Sequence, residues 1–231
     1  KGHVWWHLAL VIAAANIAGS LAGTRLALKH GAGFVRSVFI VDNNFIGNKK
    51  LAKELLRELE TWQRERDYPM EFNTEVSLNV AQDDELLGLL RDAGFTTIFV
   101  GIETPRKSSL IESRKTQNTR GDILQDVHHI QSYGIQVEAG MIVGFDNDTL
   151  ESFERQHAFI MASGIKAAMV GLLTALPRTP LYERLEREGR LRDAGDQADN
   201  CKLTTNVVPK HISYDAMVGA YKRLYQRLLT D

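Results

Sequence analysis

Gln136-Val-Glu-Ala-Gly-Met-Ile-Val143 is a mostly apolar run that reads as a strand buried by other elements. Residues 119–133 before it carry helical spacing and stop at Gly134, and residues 149–163 after it do the same and stop at Gly164. The pattern repeats in both directions. Upstream lie the strands Thr-Ile-Phe-Val-Gly-Ile at 97–102, residues 71–80, and Ser-Val-Phe-Ile-Val at 37–41. Helices at 83–93 and 49–66 separate them, the latter with leucines at 51, 55, 56 and 59. Downstream come a strand at 167–173 and a terminal helix at 213–229 with Ser213 as its N-cap. Strands separated by a helix in each gap predict βα units feeding a parallel α/β sheet. A doubly wound sheet and a barrel are both compatible with that spacing. No G-x-G-x-x-G follows any strand, which counts against a dinucleotide-binding unit.

The 28 basic and 29 acidic side chains of the 231 residues nearly cancel, so nucleic acid is not the expected partner. The average hides a split. Residues 1–37 carry Lys1, Arg25, Lys29 and Arg36 and no acid, and the remainder carries a balance of −5. Residues 4–23 are interrupted only by His7, Asn16 and Ser20. At about 1.5 Å per residue they are long enough to cross a hydrocarbon core of roughly 30 Å. Trp5 and Trp6 stand at one end, Arg25 and Lys29 at the other, and Gly19 and Gly23 form a GxxxG. The sequence therefore divides into an apolar helix over residues 1–36, read as membrane-associated, and a unit over residues 37–231. A buried helix of a soluble protein is the alternative for the first piece. The chain opens on Lys1, read as a fragment or a processed product. Its single cysteine, Cys201, places the second unit in a reducing, cytoplasmic compartment. One thiol also excludes an iron–sulfur or zinc site built from several cysteines of this chain.

In parallel α/β architectures ligands bind at the carboxyl ends of the strands. Here those ends supply Asp42, Asn43, Asn44 and Phe45, then Glu75 and Ser77, then Gly101 and Glu103. The next supplies Gly140, Ile142, Gly144, Asp146 and Asp148, and the last runs into Leu176-Pro-Arg-Thr-Pro180. Acids and amides in such places can simply cap helices, and Asp148 and Thr149 fit that reading. Glu75 and Glu103 stand at strand ends instead, where a buried carboxylate needs a cationic or donor-rich partner.

Five ordered blocks carry a resemblance: VFIVDNNFIGNKK (38–50), TEVSLNVA (74–81), FVGIET (99–104), GMIVGFDNDT (140–149) and ALPRTPLYERL (175–185). Together with TTNVVPK (204–210) they resemble radical S-adenosylmethionine enzymes of the cobalamin-binding subclass, the group that includes hopanoid methylases. The resemblance implies part of a (β/α)6-type, TIM-like barrel lacking its first unit. It implies S-adenosylmethionine as cofactor and a radical-based methylation or related modification of a small, lipid-like substrate. Cobalamin would be held by an upstream domain.

By the same resemblance, residues 42–45 meet the amino group of the methionine moiety, with Asn43 in place of a second acid. Glu75, Ser77 and Glu103, with Gly101 beside the last, face the methionine carboxylate and ribose. Gly140, Ile142 and Gly144 form the strand end that lets the adenine approach the backbone. The family also carries a CxxxCxxC loop ligating a 4Fe-4S cluster, whose electron splits the sulfonium into a 5′-deoxyadenosyl radical. The corresponding region upstream of Val38 has no cysteine.

Residues 5–41 resemble instead a stretch of the sulfite-exporter family of membrane permeases, notably GTRLALKHGAGFVR (23–36). The expectation is a chimeric chain joined within residues 37–41, radical SAM-like in fold and inactive in radical chemistry. A non-catalytic nucleoside-binding module and a permease fragment are the alternatives.

Overall fold

The computed structural model describes residues 36–112, 121–192 and 203–230. The apolar stretch at 4–23, the start of the helix expected from residue 119, and Cys201 lie outside the described residues. Among those described, no helix is long and apolar enough to cross a membrane.

Five strands form one sheet: β1 (Ser37–Ile40), β2 (Glu71–Val76), β3 (Phe95–Glu103), β4 (Gln136–Val143) and β5 (Ala167–Leu172). Every neighbouring pair is parallel, and the spatial order is the chain order. This order decides between the two architectures that spacing left open. A doubly wound sheet reverses strand order at its switch point, whereas a barrel winds one way throughout. The fold is the partial TIM-like barrel.

The helices are α1 (Lys49–Arg64), α2 (Asp84–Asp92), α3 (Lys107–Glu112), α4 (Ile123–Ser132), α5 (Leu150–Ser163), α6 (Pro180–Arg187) and α7 (Tyr214–Thr230). They bury one face of the sheet. Val76, Ile98, Val100, Ile102, Val137, Ala139, Met141 and Val143 join Leu56, Leu86, Leu90, Val127, Ile130, Phe153 and Tyr221 in one core. The alternate residues face the other way. Register aligns Glu75, Phe99, Glu138 and Ala167 in one row of that second face, and Gly101, Gly140 and Met169 in the next. This inner face is only partly covered: Phe39 is 48% exposed and Met169 67%.

The terminal helix α7 packs on α5 and closes the core near β5. The Tyr221 hydroxyl donates to the Val170 carbonyl at 2.7 Å, and burial pushes its phenol up to about 12.

The structure departs from the sequence expectation at one strand and two helices. The strand expected over 71–80 ends at Val76, and Leu78–Gln82 is a 3₁₀ helix burying Leu78, Val80 and Ala81. Apolar residues two apart imitate a strand there, but they point into the core from a tight turn. Helices α3 and α6 were not read. The signal for α6 was present, since Thr179 caps it, accepting from the Tyr182 N–H at 3.3 Å, and Pro180 opens it.

Gly94 joins α2 to β3 at φ +91, and a Cβ there would fall 2.4 Å from Gln63 Nε2. That side chain is fully buried and donates to the Met70 carbonyl at 2.6 Å and the Ala93 carbonyl at 3.3 Å. Gly94→Ala is therefore expected to destabilise the fold by more than about 1 kcal/mol, through both strain and displacement of Gln63. Urea unfolding of the two proteins measures it; equal midpoints would refute the assignment.

Candidate nucleoside-binding rim

The loop after β1 and the end of β2 are sewn together by short-range polar contacts. Asp42 Oδ1 accepts from the Asn44 N–H at 2.8 Å, an Asx turn that leaves the Asp42 side chain exposed. Asn44 Oδ1 accepts from the Ser77 N–H at 3.0 Å and from Ser77 Oγ at 3.3 Å. The Phe45 N–H donates to the Glu75 carbonyl at 2.9 Å. Asp42, Asn44, Glu75 and Ser77 thus share one corner of the rim. Asn43 is exposed beside them. The Phe45 ring takes a different place: half-buried, it packs against the core on Phe95, centroids 5.5 Å apart.

A second group stands on β3 and β4. Gly101 and Gly140 are register partners, and Glu103 pairs with Met141 across a register shift. Glu103 lies at φ +67, a left-handed conformation that costs a non-glycine residue about 1–3 kcal/mol and that concentrates at functional sites. Arg178, on the rim after β5, shares that conformation. Gly140 leaves room for the Phe99 ring, whose Cζ would lie 3.0 Å from a Cβ at this position. Ile142 pairs with Gly171, above which a Cβ would meet nothing within 4 Å. Gly144 needs its residue type for two reasons. Its φ is +98, and a Cβ would approach Met217 Sδ to 3.2 Å.

The loop after β4 holds two buried carboxylates whose partners sequence spacing could not supply. Asp148, 2% exposed, accepts from the N–H groups of Gly144 and Phe145 at 2.8 and 3.1 Å. Its other oxygen accepts from Ser109 Oγ at 3.2 Å and faces Arg106 at 3.5 Å. Burial pushes the Asp148 carboxyl above the usual range, and these donors offset only part of that. Asp148 therefore braces the strand end against α3 rather than capping α5. Thr149 caps that helix, its N–H donating to Ser152 Oγ at 2.9 Å.

Asp146, 6% exposed, accepts from Arg184 and Arg190 at 2.5 Å each and lies 3.4 Å from Lys210 Nζ. Burial alone would raise its carboxyl, but the two guanidiniums hold it down at about 2. Glu112, at the end of α3, accepts from the backbone N–H groups of Asp146 and Asn147 at 2.9 and 3.2 Å. Beside these residues a cleft of about 490 Å³ is walled by Phe145, Leu173 and Leu181, with Glu112 and Arg184 at its polar side.

This is a parallel half-barrel with its polar residues gathered at the strand carboxyl ends. Residues 24–160 match the radical SAM superfamily. The chain belongs to the radical SAM superfamily. That match begins upstream of Ser37 and overlaps the stretch read as permease-like, a resemblance that finds no support. Residues 179–230 match a domain of unknown function, DUF4070.

The chain is 47% identical over 194 residues to the hopanoid C-2 methylase of Rhodopseudomonas palustris, covering 82% of this chain and 36% of that protein. It is 42% identical over 177 residues to an uncharacterized methyltransferase of Synechocystis, covering 77% and 33%. It spans about a third of the length of these curated relatives. In structure it resembles the radical S-adenosylmethionine methyltransferase TsrM of Kitasatospora setae, solved with cobalamin and a 4Fe-4S cluster bound. The TM-score is 0.56 at 20% identity, over 87% of this chain and 39% of TsrM. The cobalamin-dependent radical enzyme OxsB also gives 0.56, at 12% identity over 85% of this chain and 38% of OxsB. At those identities the likeness speaks for the fold.

A carboxylate with a folded pKa near 2, against an ordinary 3.8, contributes stability that is full above about pH 4 and is lost as the pH falls toward 2. For Asp146 this amounts to on the order of 2 kcal/mol. Asp148, raised instead, works in the opposite direction. Asp146→Asn is expected to flatten the acid-side fall in unfolding free energy between about pH 4 and 2. An unchanged slope would refute the role of the Arg184 and Arg190 contacts.

Proposed function

We propose that residues 37–231 form the S-adenosylmethionine-binding portion of a radical SAM methylase-like enzyme. The observation that carries the reading is the gathering of Asp42, Asn44, Glu75, Ser77, Glu103 and the Gly101–Gly140 pair at the carboxyl edge and on the inner, partly uncovered face of one parallel sheet. Carboxylates and a hydroxyl there suit an amino acid and a ribose. A floor with glycines at 101, 140 and 171, open above Gly171 and bordered at Gly140 by the Phe99 ring, suits a flat base. The apolar wall of the neighbouring cleft supports a hydrophobic, lipid-like substrate.

The iron–sulfur cluster of the superfamily does not fit the residues of this chain. Such a cluster takes several thiolates, and the sequence has only Cys201. Among the described residues no three His, Cys, Asp or Glu side chains converge as a metal site. In this proposal the chain by itself holds S-adenosylmethionine and lacks the thiolates of the cluster that would cleave it. We assign none of its residues to cobalamin, and residues 1–23 take no part in the reading.

Two measurements on the 231-residue chain test this. Calorimetry with S-adenosylmethionine is expected to register binding, and a flat titration would overturn the nucleoside site. Anaerobic reconstitution with iron and sulfide, followed by dithionite and S-adenosylmethionine, is expected to leave colourless protein and intact ligand. Absorption near roughly 400 nm, where thiolate-ligated clusters absorb, together with 5′-deoxyadenosine, would overturn the inability to cleave.

A further inference from the structure

The segment matching a domain of unknown function reaches the loop after β4 from several directions. It supplies Arg184 from α6, Arg190 just after that helix, and Lys210, all to Asp146. Arg190 is itself fixed, donating through Nε and Nη2 to the Val208 carbonyl at 2.9 and 2.7 Å. The same segment supplies Met217 from α7, against Gly144. It also grips the end of β5. Asn206 accepts from the Ala175 N–H at 2.9 Å and donates to the Ala175 carbonyl at 2.8 Å. Ala175, Leu185 and Val207 form a small core of their own between these contacts.

We propose that residues 179–192 and 203–230 act as a latch on residues 144–149, and that Asp146 is the positioning residue through which this latch sets the affinity of the rim for its nucleoside ligand. The affinity clause rests on the S-adenosylmethionine-binding reading. Asp146 touches no ligand in this account; it acts through the backbone between Gly144 and Asp148.

The charge arrangement explains why a latch is needed. Residues 144–148 leave β4 with Gly144 in a conformation that no other residue adopts readily, so the strand does not dictate the path of the chain beyond it. Three carboxylates dictate it instead. Asp148 and Glu112 hold backbone N–H groups from the α3 side. Asp146 is held by cations that all belong to the C-terminal segment, one of which, Arg184, also lies 3.9 Å from Glu112. Removing these cations leaves residues 144–148 held only by Asp148 and Glu112.

The test uses the full chain with Arg190→Ala, Arg190→Lys and Lys210→Ala, followed by amide hydrogen exchange without ligand and by calorimetry with S-adenosylmethionine. Arg190→Ala is expected to speed exchange at residues 144–148 while the amides inside β3 and β4 keep their protection. Affinity is expected to fall about tenfold, within the range of couplings between linked sites. Arg190→Lys is expected to recover part of both effects. Lys210→Ala, at the exposed margin, is expected to show a smaller form of both and keeps the test open should Arg190→Ala fail to fold.

Unchanged exchange at 144–148 overturns the latch, as does faster exchange spread over the whole sheet, which a merely structural contact would give. Local exchange without a change in affinity overturns the positioning role. If the unaltered chain binds no S-adenosylmethionine, the nucleoside reading and the affinity clause fall together, and the exchange data decide the latch by themselves.

Discussion

Parallel strands laid down in chain order constrain everything else in this molecule. Each crossover must return to the same side, so the helices accumulate on one face and bury it. Residues alternate across each strand, and the other half of the side chains is left on the inner face. The helix-facing half is almost uniformly aliphatic. The inner half includes Glu75, Phe99, Glu138, Gly101 and Gly140, a set that would make a poor core. All five strands also end on one edge, so residues as distant in sequence as Asp42 and Glu103 come to share a rim.

At that edge the polar contacts are of two kinds. Those between the first two strand ends are exposed or only partly buried, built from an Asx turn and an asparagine bridging 33 residues to Ser77. Each such contact contributes about 1 kcal/mol or less. Those around the fourth strand end are buried and charged. A buried carboxylate is costly unless fully partnered, and both Asp146 and Asp148 have their partners, the first from the C-terminal segment and the second from the loop itself, Arg106 and Ser109. The opposite displacement of their two carboxyl pKa values reflects the difference between them: Asp146 is met by guanidinium groups, Asp148 mainly by neutral donors.

Much of this was legible in the sequence. Glycines 94, 134 and 164 mark helix ends where the structure has them, and the apolar runs mark the strands, because both signals act over a few residues. The 3₁₀ turn after Val76 was not legible, since Leu78 and Val80 satisfy strand and turn patterns alike. The Asp146 cluster was not legible either: its partners lie 38 and 44 residues away and depend on the path of the chain after α6. The candidate site was readable as a set of strand ends. The distinct fates of Phe45, half-buried against the core, and Gly144, pressed against Met217, required coordinates.

In the function proposed above, the open edge of this partial barrel receives a nucleoside attached to an amino acid. Backbone amide chemical shifts, followed while S-adenosylmethionine is added to the isotope-labelled chain, test it most directly. The account predicts saturable shifts concentrated at Asn44, Ser77, Gly101, Glu103, Gly140 and Gly144, with the helix-facing residues of β3 and β4 unmoved. Shifts confined to other surfaces, or none at all, would contradict it.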